Sequence, residues 1–272
     1  MQKRKENQSQ KRVKGKIKSK GRRLSPNPKE SNMGRKRVRD VDEFSFDDSF
    51  EKTQTVKVKP FRAKTDSQRE AYNTIVKHTL TFLGGPAGTG KTLLPCHIAL
   101  DMLSKGIIKK IFITRPNVEA GKSLGYLPGG VEEKMLNYLI PIYDNMELFI
   151  GREKLAELLE KEIIQCVPIG FLRGRTLTDA FVIIDEAQNM TKEQLRMTLT
   201  RIGFGTNAVV TYDTEQIDIR KDDSCVLDIP IFIGYNLIGH YEFSPKDVVR
   251  SEIVKTVLTA YMESKQNEED IY

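Results

Sequence analysis

The sequence has no tryptophan and only three cysteines, Cys96, Cys166 and Cys225, scattered along 272 residues. That spacing supplies neither a zinc knuckle nor a disulfide scaffold, and it points to a reducing, cytoplasmic setting. No stretch approaches the roughly 18 consecutive apolar residues that a membrane span requires. The N-terminus is basic, but no apolar segment follows it, so a secretory signal is not expected. Acidic residues are scarce in one place only. Residues 1–40 hold 16 Lys/Arg against three acids, Glu6, Glu30 and Asp40, whereas the other 232 residues hold 28 Lys/Arg against 34 acids. The chain therefore reads as an acidic body carrying a basic arm.

Residues 1–40 also hold few large apolar side chains, so they bury too little area to offset the entropy of ordering, and a disordered basic tail is expected. Residues 41–60 form an acidic and aromatic linker, with Phe44, Phe46 and Phe50 set among aspartates and glutamates. It is either a solvated spacer or a docking strip for the body or a partner. From residue 61 the pattern changes. Strand-like apolar runs at Thr79–Leu83, Lys110–Thr114, Ile163–Val167, Phe181–Ile184, Ala208–Thr211 and Tyr241–Phe243 alternate with helical stretches such as Gln68–His78, Lys91–Leu103, Glu153–Lys161 and Lys192–Arg201. Near-continuous apolar strands separated by helices predict an α/β body with a parallel sheet covered on both faces. The body is expected over 61–262, with a polar end at 263–272.

Directly after the first strand comes Gly85-Pro86-Ala87-Gly88-Thr89-Gly90-Lys91-Thr92. This is G-x-x-x-x-G-K-T between a strand and a helix, the context a phosphate-binding loop needs. Glycines let backbone N–H groups turn inward and approach phosphate oxygens, and the following helix adds its positive N-terminal end. Lys91 is expected on the β- and γ-phosphates of ATP and Thr92 on Mg²⁺. Pro95 is expected to kink that helix. Cys96 and His97, on the same helix, read as buried filler.

The apolar strand 181–184 ends in Asp185-Glu186-Ala187-Gln188. Beside a phosphate loop, the first carboxylate is assigned to Mg²⁺ and the second to a general base that polarises the attacking water. Thr191-Lys192-Glu193-Gln194 then fits a capping box opening the next helix. A further strand leads to Tyr212-Asp213-Thr214-Glu215-Gln216, where Gln216 is the candidate to sense the γ-phosphate.

These motifs, together with Thr114-Arg115-Pro116-Asn117-Val118-Glu119-Ala120-Gly121, Leu124-Gly125-Tyr126-Leu127-Pro128-Gly129, Arg173-Gly174-Arg175-Thr176-Leu177 and Leu199-Thr200-Arg201-Ile202-Gly203-Phe204, resemble in order the PhoH family of bacteria and bacteriophages over about residues 60–262. The resemblance implies a P-loop NTPase with a single RecA-like core similar to the first domain of superfamily 1 helicases, ATP binding, Mg²⁺-dependent hydrolysis and action on RNA. It places Gln68 in an adenine-reading motif, although Ser67-Gln68-Arg69-Glu70 is also a capping box. It turns Arg115 toward a single strand. Arg173 and Arg175 contact a nucleic-acid phosphate or a neighbouring subunit, or make surface ion pairs. Lys246-Asp247-Val248-Val249-Arg250 resembles the family's closing motif, with Arg250 as a candidate arginine finger and Arg201 as second choice. The sequence departs from the family where Tyr212 replaces a glycine, which is expected to alter the approach to the γ-phosphate. It departs again where Pro230 and Gly234 interrupt a helix.

Three functions are in play. The first is an ATPase acting on or with RNA or single-stranded DNA, to which the basic arm contributes phosphate contacts. The second is a non-catalytic ATP-dependent switch that recruits a protein. The third, a small-metabolite kinase, is disfavoured by the helicase-like motifs. One core per chain implies that an arginine reaching the γ-phosphate comes from another copy, in a homo-oligomer, plausibly a hexameric ring.

Overall fold

The computed structural model describes residues 56–116 and 131–249, with 252–254, 256, 257 and 260; for 131–138 it describes the backbone alone. The basic arm, most of the acidic linker, the motif residues 117–129, Arg250 and the end at 263–272 lie outside the described residues.

The elements alternate as the sequence predicts: α1 (Asp66–Lys77), β1 (Leu80–Gly84), α2 (Leu93–Ser104), β2 (Lys110–Thr114), α3 (Val131–Ile150), α4 (Arg152–Glu160), β3 (Ile164–Cys166), β4 (Ala180–Ile184), α5 (Lys192–Leu199), β5 (Asn207–Tyr212) and β6 (Ile238–Glu242). The six strands form one sheet in the order β3-β2-β4-β5-β1-β6, and every neighbouring pair is parallel. Parallel neighbours need crossovers, and here helices or long loops supply them. The carboxyl ends of β4, β5 and β1 therefore stand side by side, although β1 ends at Gly84 and β5 only at Tyr212, far along the chain.

Strand side chains alternate between two cores. Leu83, Ile111, Ile113, Phe181, Ile183 and Val209 pack under α1 to α4, while Phe82, Phe112, Val182, Ile184, Ala208 and Val210 pack under α5 and the 3₁₀ segments Ile169–Leu172 and Cys225–Phe232. Burial on both faces is why these strands read as continuous apolar runs. Truncating a fully buried side chain such as Phe82 to alanine costs about 3–5 kcal/mol. Val56 is buried in the first core and Lys59 donates its N–H to the Phe149 carbonyl at 2.9 Å, so packing already begins within the stretch read as a spacer.

The local signals explain the ends. α1 starts at Thr65, whose side chain accepts from the Gln68 N–H, two residues before the expected Ser67 box. Ser67 is thus inside the helix and free to bond elsewhere. α5 has the expected capping box between Thr191 and Gln194. α2 stops at Gly106, with φ 68°, where Gly106 N–H meets Leu103 O and Ile107 N–H meets Met102 O, both at 3.0 Å, a Schellman closure. Pro95 lies close to the helix start. The helix starts at Leu93, and because Leu94 N–H already bonds the Gly90 carbonyl at 3.1 Å, Pro95 leaves the Lys91 carbonyl without its helical donor near the start of the helix, where few turns precede it. The helix α3, which the sequence pattern does not announce, packs Leu139, Ile142 and Met146 into the first core despite Pro141. Pro230 and Gly234, with φ 99°, do interrupt regular helix, as the sequence suggested: the chain there is a 3₁₀ segment. Among the described residues no helix is long and apolar enough to cross a membrane.

Candidate functional site

The strand β1 feeds the loop Gly85–Thr92, which feeds α2. Its glycines at 85, 88 and 90 take φ of 127°, 89° and 97°, values that side chains rarely adopt. Gly85 is also a close approach: a Cβ there would stand 2.6 Å from the Phe243 Cβ. Among the described residues no backbone or side-chain acceptor takes the N–H groups of 87–91. A row of inward N–H groups at a helix N-terminus is the donor set that binds phosphate oxygens.

Lys91 is buried and its ammonium donates to the Gly85 carbonyl and, at 3.3 Å, to the carboxylate of buried Asp213 at the end of β5. Thr92 Oγ1 donates to Asp185 Oδ1 at 3.0 Å, and Thr211 Oγ1 donates to the same oxygen at 2.6 Å. Thr92 and Asp185, assigned separately from sequence, are therefore in contact across two elements. A hydroxyl and a carboxylate are hard oxygen ligands suited to Mg²⁺, which keeps few protein ligands and takes the rest from water and phosphates.

Glu186 follows in the left-handed region, with φ 55° and ψ 41°. Its N–H meets Thr211 Oγ1 at 3.3 Å, and its Oε2 accepts from Gln188 Nε2 at 2.5 Å. Arg115, at the end of β2, stands 3.9 Å from Asp185 and 4.0 Å from Glu186. The residue expected on a single strand is thus against the site's own carboxylates.

Two residues that sequence reasoning left without a role complete the cluster. Gln188, fully buried, accepts the Asp213 N–H on Oε1 at 3.0 Å while donating to Glu186. Asp213 ties Lys91 to Gln216, whose Nε2 donates to it at 2.7 Å. Gln216 thus reaches the loop lysine by way of Asp213. The signal for Asp213 was present: a carboxylate just past an apolar strand, the same pattern that marked Asp185.

Tyr212 corrects an expectation. Neighbouring side chains on a strand point to opposite faces. With Thr211 aimed at Asp185, Tyr212 lies on the other face, its hydroxyl bonded to Glu242 Oε2 at 2.5 Å and 2.9 Å from His240 Nε2. It passes over Gly84, where a Cβ would meet the ring at 2.4 Å. The bulky residue is therefore kept away from the phosphate side. Burial and then Glu242 push its hydroxyl pKa well above the ordinary tyrosine value.

Of the remaining candidates, Gln68 reaches the loop and the arginines stand apart. Gln68 is buried, accepting the Lys64 N–H at 2.9 Å and donating to the Thr89 carbonyl at 2.9 Å. Arg173 is exposed; Arg175 lays its guanidinium 5.6 Å from the Phe112 ring centre. Arg201 donates to Thr200 Oγ1 at 3.2 Å. Cys96 and His97 are buried, as expected. Burial drives the Cys96 thiol well above its usual pKa and lowers that of His97, whose ring meets Phe149 edge-on at 4.8 Å.

Known proteins resemble this chain over most of its length. The model of PhoH-like proteins matches residues 60–262. A PhoH-like protein of Bacillus subtilis is 44% identical over 79% of this chain and 67% of its own length. One from Synechocystis is 43% identical over 75% of this chain and 63% of its length, and the Escherichia coli protein PhoH is 34% identical over 74% and 58%. The chain thus spans about three-fifths to two-thirds of these relatives. Among solved structures, the HK97 bacteriophage large terminase superposes with a TM-score of 0.43 at 14% identity, covering 71% of this chain and 42% of that one. With the strand–loop–helix of a P-loop NTPase fold in place and the family pattern matched across three-quarters of its length, this chain belongs to the PhoH-like protein family.

Proposed function

We propose that the chain binds ATP with Mg²⁺ and hydrolyses it, acting on or with RNA or single-stranded DNA. The observation that carries this reading is the convergence of Lys91, Thr92, Asp185, Glu186 and Asp213 at the adjoining carboxyl ends of β1, β4 and β5. Open parallel sheets bind ligands at that edge. The loop N–H groups take the phosphate oxygens, and Lys91, already paired with Asp213, swings its ammonium from the Gly85 carbonyl onto the β- and γ-phosphates. Thr92 and Asp185 hold the ion, which when bound neutralises charge on those phosphates. Glu186 accepts the proton of the attacking water, with Gln188 fixing one carboxylate oxygen so that the other faces the water.

Several features support nucleic acid as partner: the excess positive charge of residues 1–40 and the exposed arginines 173 and 175. The same reading extends to assembly. A head-to-tail homo-oligomer, a hexameric ring by resemblance, brings Arg250 of one copy to the γ-phosphate held by the next. The test is ATP turnover titrated with single-stranded RNA, single-stranded DNA and duplexes, repeated after deletion of residues 1–40. Basal turnover is expected to survive the deletion while the salt dependence of nucleic-acid binding flattens. An unchanged salt slope moves the contact onto the body. Binding without turnover under every condition leaves the non-catalytic switch as the function. Mixing Lys91→Ala with Arg250→Ala is expected to restore activity, and a dead mixture with a monomeric wild type removes the ring.

A further inference from the structure

We propose that Asp247 is a positioning residue for the phosphate loop: it fastens residues 243–249 as a strap behind the loop and so aims a loop N–H at the phosphate. The proposal rests on reading Gly85–Thr92 as a nucleotide site.

The strap begins where β6 ends. Phe243 N–H bonds the Gly84 carbonyl at 2.9 Å, and Phe243 packs flush against Gly85. The chain then turns through the 3₁₀ segment Pro245–Asp247. One oxygen of the Asp247 carboxylate closes that turn, accepting Ser244 N–H at 2.7 Å and Ser244 Oγ at 2.8 Å. The other accepts Ser67 Oγ of α1 at 2.5 Å, across 180 residues of sequence. Held at both ends, the strap presents Val249, whose N–H bonds the Gly88 carbonyl at 3.0 Å.

The consequence follows from peptide geometry. In a trans peptide the C=O of one residue and the N–H of the next lie in one plane and point in opposite directions. Pulling the Gly88 carbonyl backward onto Val249 turns the Thr89 N–H forward. Gln68 does the same one residue on: by taking the Thr89 carbonyl it turns the Gly90 N–H forward. Two successive donors of the cradle are thus oriented from behind, one by α1 directly and one by the strap that Asp247 ties to α1. This also gives Ser67 its task, since the helix start at Thr65 leaves its hydroxyl unused for capping.

The experiment measures Mg-ATP affinity by calorimetry for wild type, Ser67→Ala, Asp247→Ala, the double variant and Ser67→Thr, with melting temperatures alongside. Each alanine variant is expected to bind about tenfold more weakly, the scale of one well-placed hydrogen bond to a charged group. The double variant is expected to match Asp247→Ala, because without the carboxylate the Ser67 hydroxyl has no tie left to lose, and non-additivity of this kind marks a shared contact. Ser67→Thr keeps the hydroxyl and is expected to bind like wild type. Alanine variants within twofold of wild type, or a double variant about tenfold weaker than Asp247→Ala, overturn the strap. If Asp247→Ala does not fold, Ser67→Ala against Ser67→Thr decides alone. A wild type that binds no ATP instead overturns the nucleotide reading of the loop, which separates the two failures.

Discussion

Thr211 and Tyr212 are neighbours at the end of β5, yet they serve opposite faces of the sheet. On one face Thr211, Asp185, Thr92, Lys91 and Asp213 form a polar cluster around the phosphate loop. On the other face Tyr212, His240 and Glu242 form a second polar cluster over Gly84. Both are dense and both lie at the same end of the sheet. They differ in what their members can do. The first joins two carboxylates, two hydroxyls and a buried ammonium, groups that take up ions and phosphates. The second is a closed circuit in which a phenol, an imidazole and a carboxylate satisfy one another and cover the sheet's edge. Strand alternation alone puts a one-residue step between a chemical role and a packing role.

Four variants sharpen that contrast, from the strongest effect downward. Lys91→Ala removes the charge facing the phosphates and is expected to abolish tight Mg-ATP binding in a calorimetric titration; wild-type affinity would refute the loop assignment. Glu186→Gln is expected to keep binding and slow hydrolysis about 10²-fold or more in a phosphate-release assay, the scale of a lost general base. Asp213→Ala strands the buried ammonium of Lys91, so urea unfolding is expected to show a loss of about 3 kcal/mol, typical of breaking a buried pair from one side. A loss below measurement would mean that the Gly85 carbonyl suffices for Lys91.

The smallest effect belongs to the opposite face. Tyr212→Phe is expected to cost about 1–2 kcal/mol, because Glu242 and His240 lose a partner, while turnover stays within twofold. A large fall in turnover would bring Tyr212 back to the phosphate side. The sign of its pH dependence is fixed by the raised pKa. The fold holds the phenol neutral, so above the ordinary value of 10.0 the unfolded chain ionises first and stability falls as pH rises. The phenylalanine variant is expected to lose less stability over that alkaline range.

Much of this was legible in the sequence, for identifiable reasons. β2 falls where its apolar run predicts, and the loop 85–92 and the carboxylates 185 and 186 are signalled by short contiguous motifs. Contiguity is what a single sequence displays best. α3 was not legible because Pro141 sits in its middle and glycines precede it, so local punctuation outweighs its apolar periodicity. The strand-end face of Tyr212 was not legible either, because it depends on registering β5 against β4, where Ile184 pairs with Val210. The contact of Ser67 with Asp247, and that of Arg115 with Asp185, join segments far apart in the chain and have no local signature.

The backbone of Glu186 has a consequence beyond its carboxylate. Its left-handed conformation, φ 55° and ψ 41°, costs a side-chain-bearing residue about 1–2 kcal/mol that glycine does not incur. Position 186 therefore sets a backbone that favours glycine against a carboxylate that holds Gln188. Glu186→Gly relieves the backbone but leaves the buried Gln188 amide without its acceptor, so the two effects oppose and the melting temperature is expected to stay within about 3 °C of wild type.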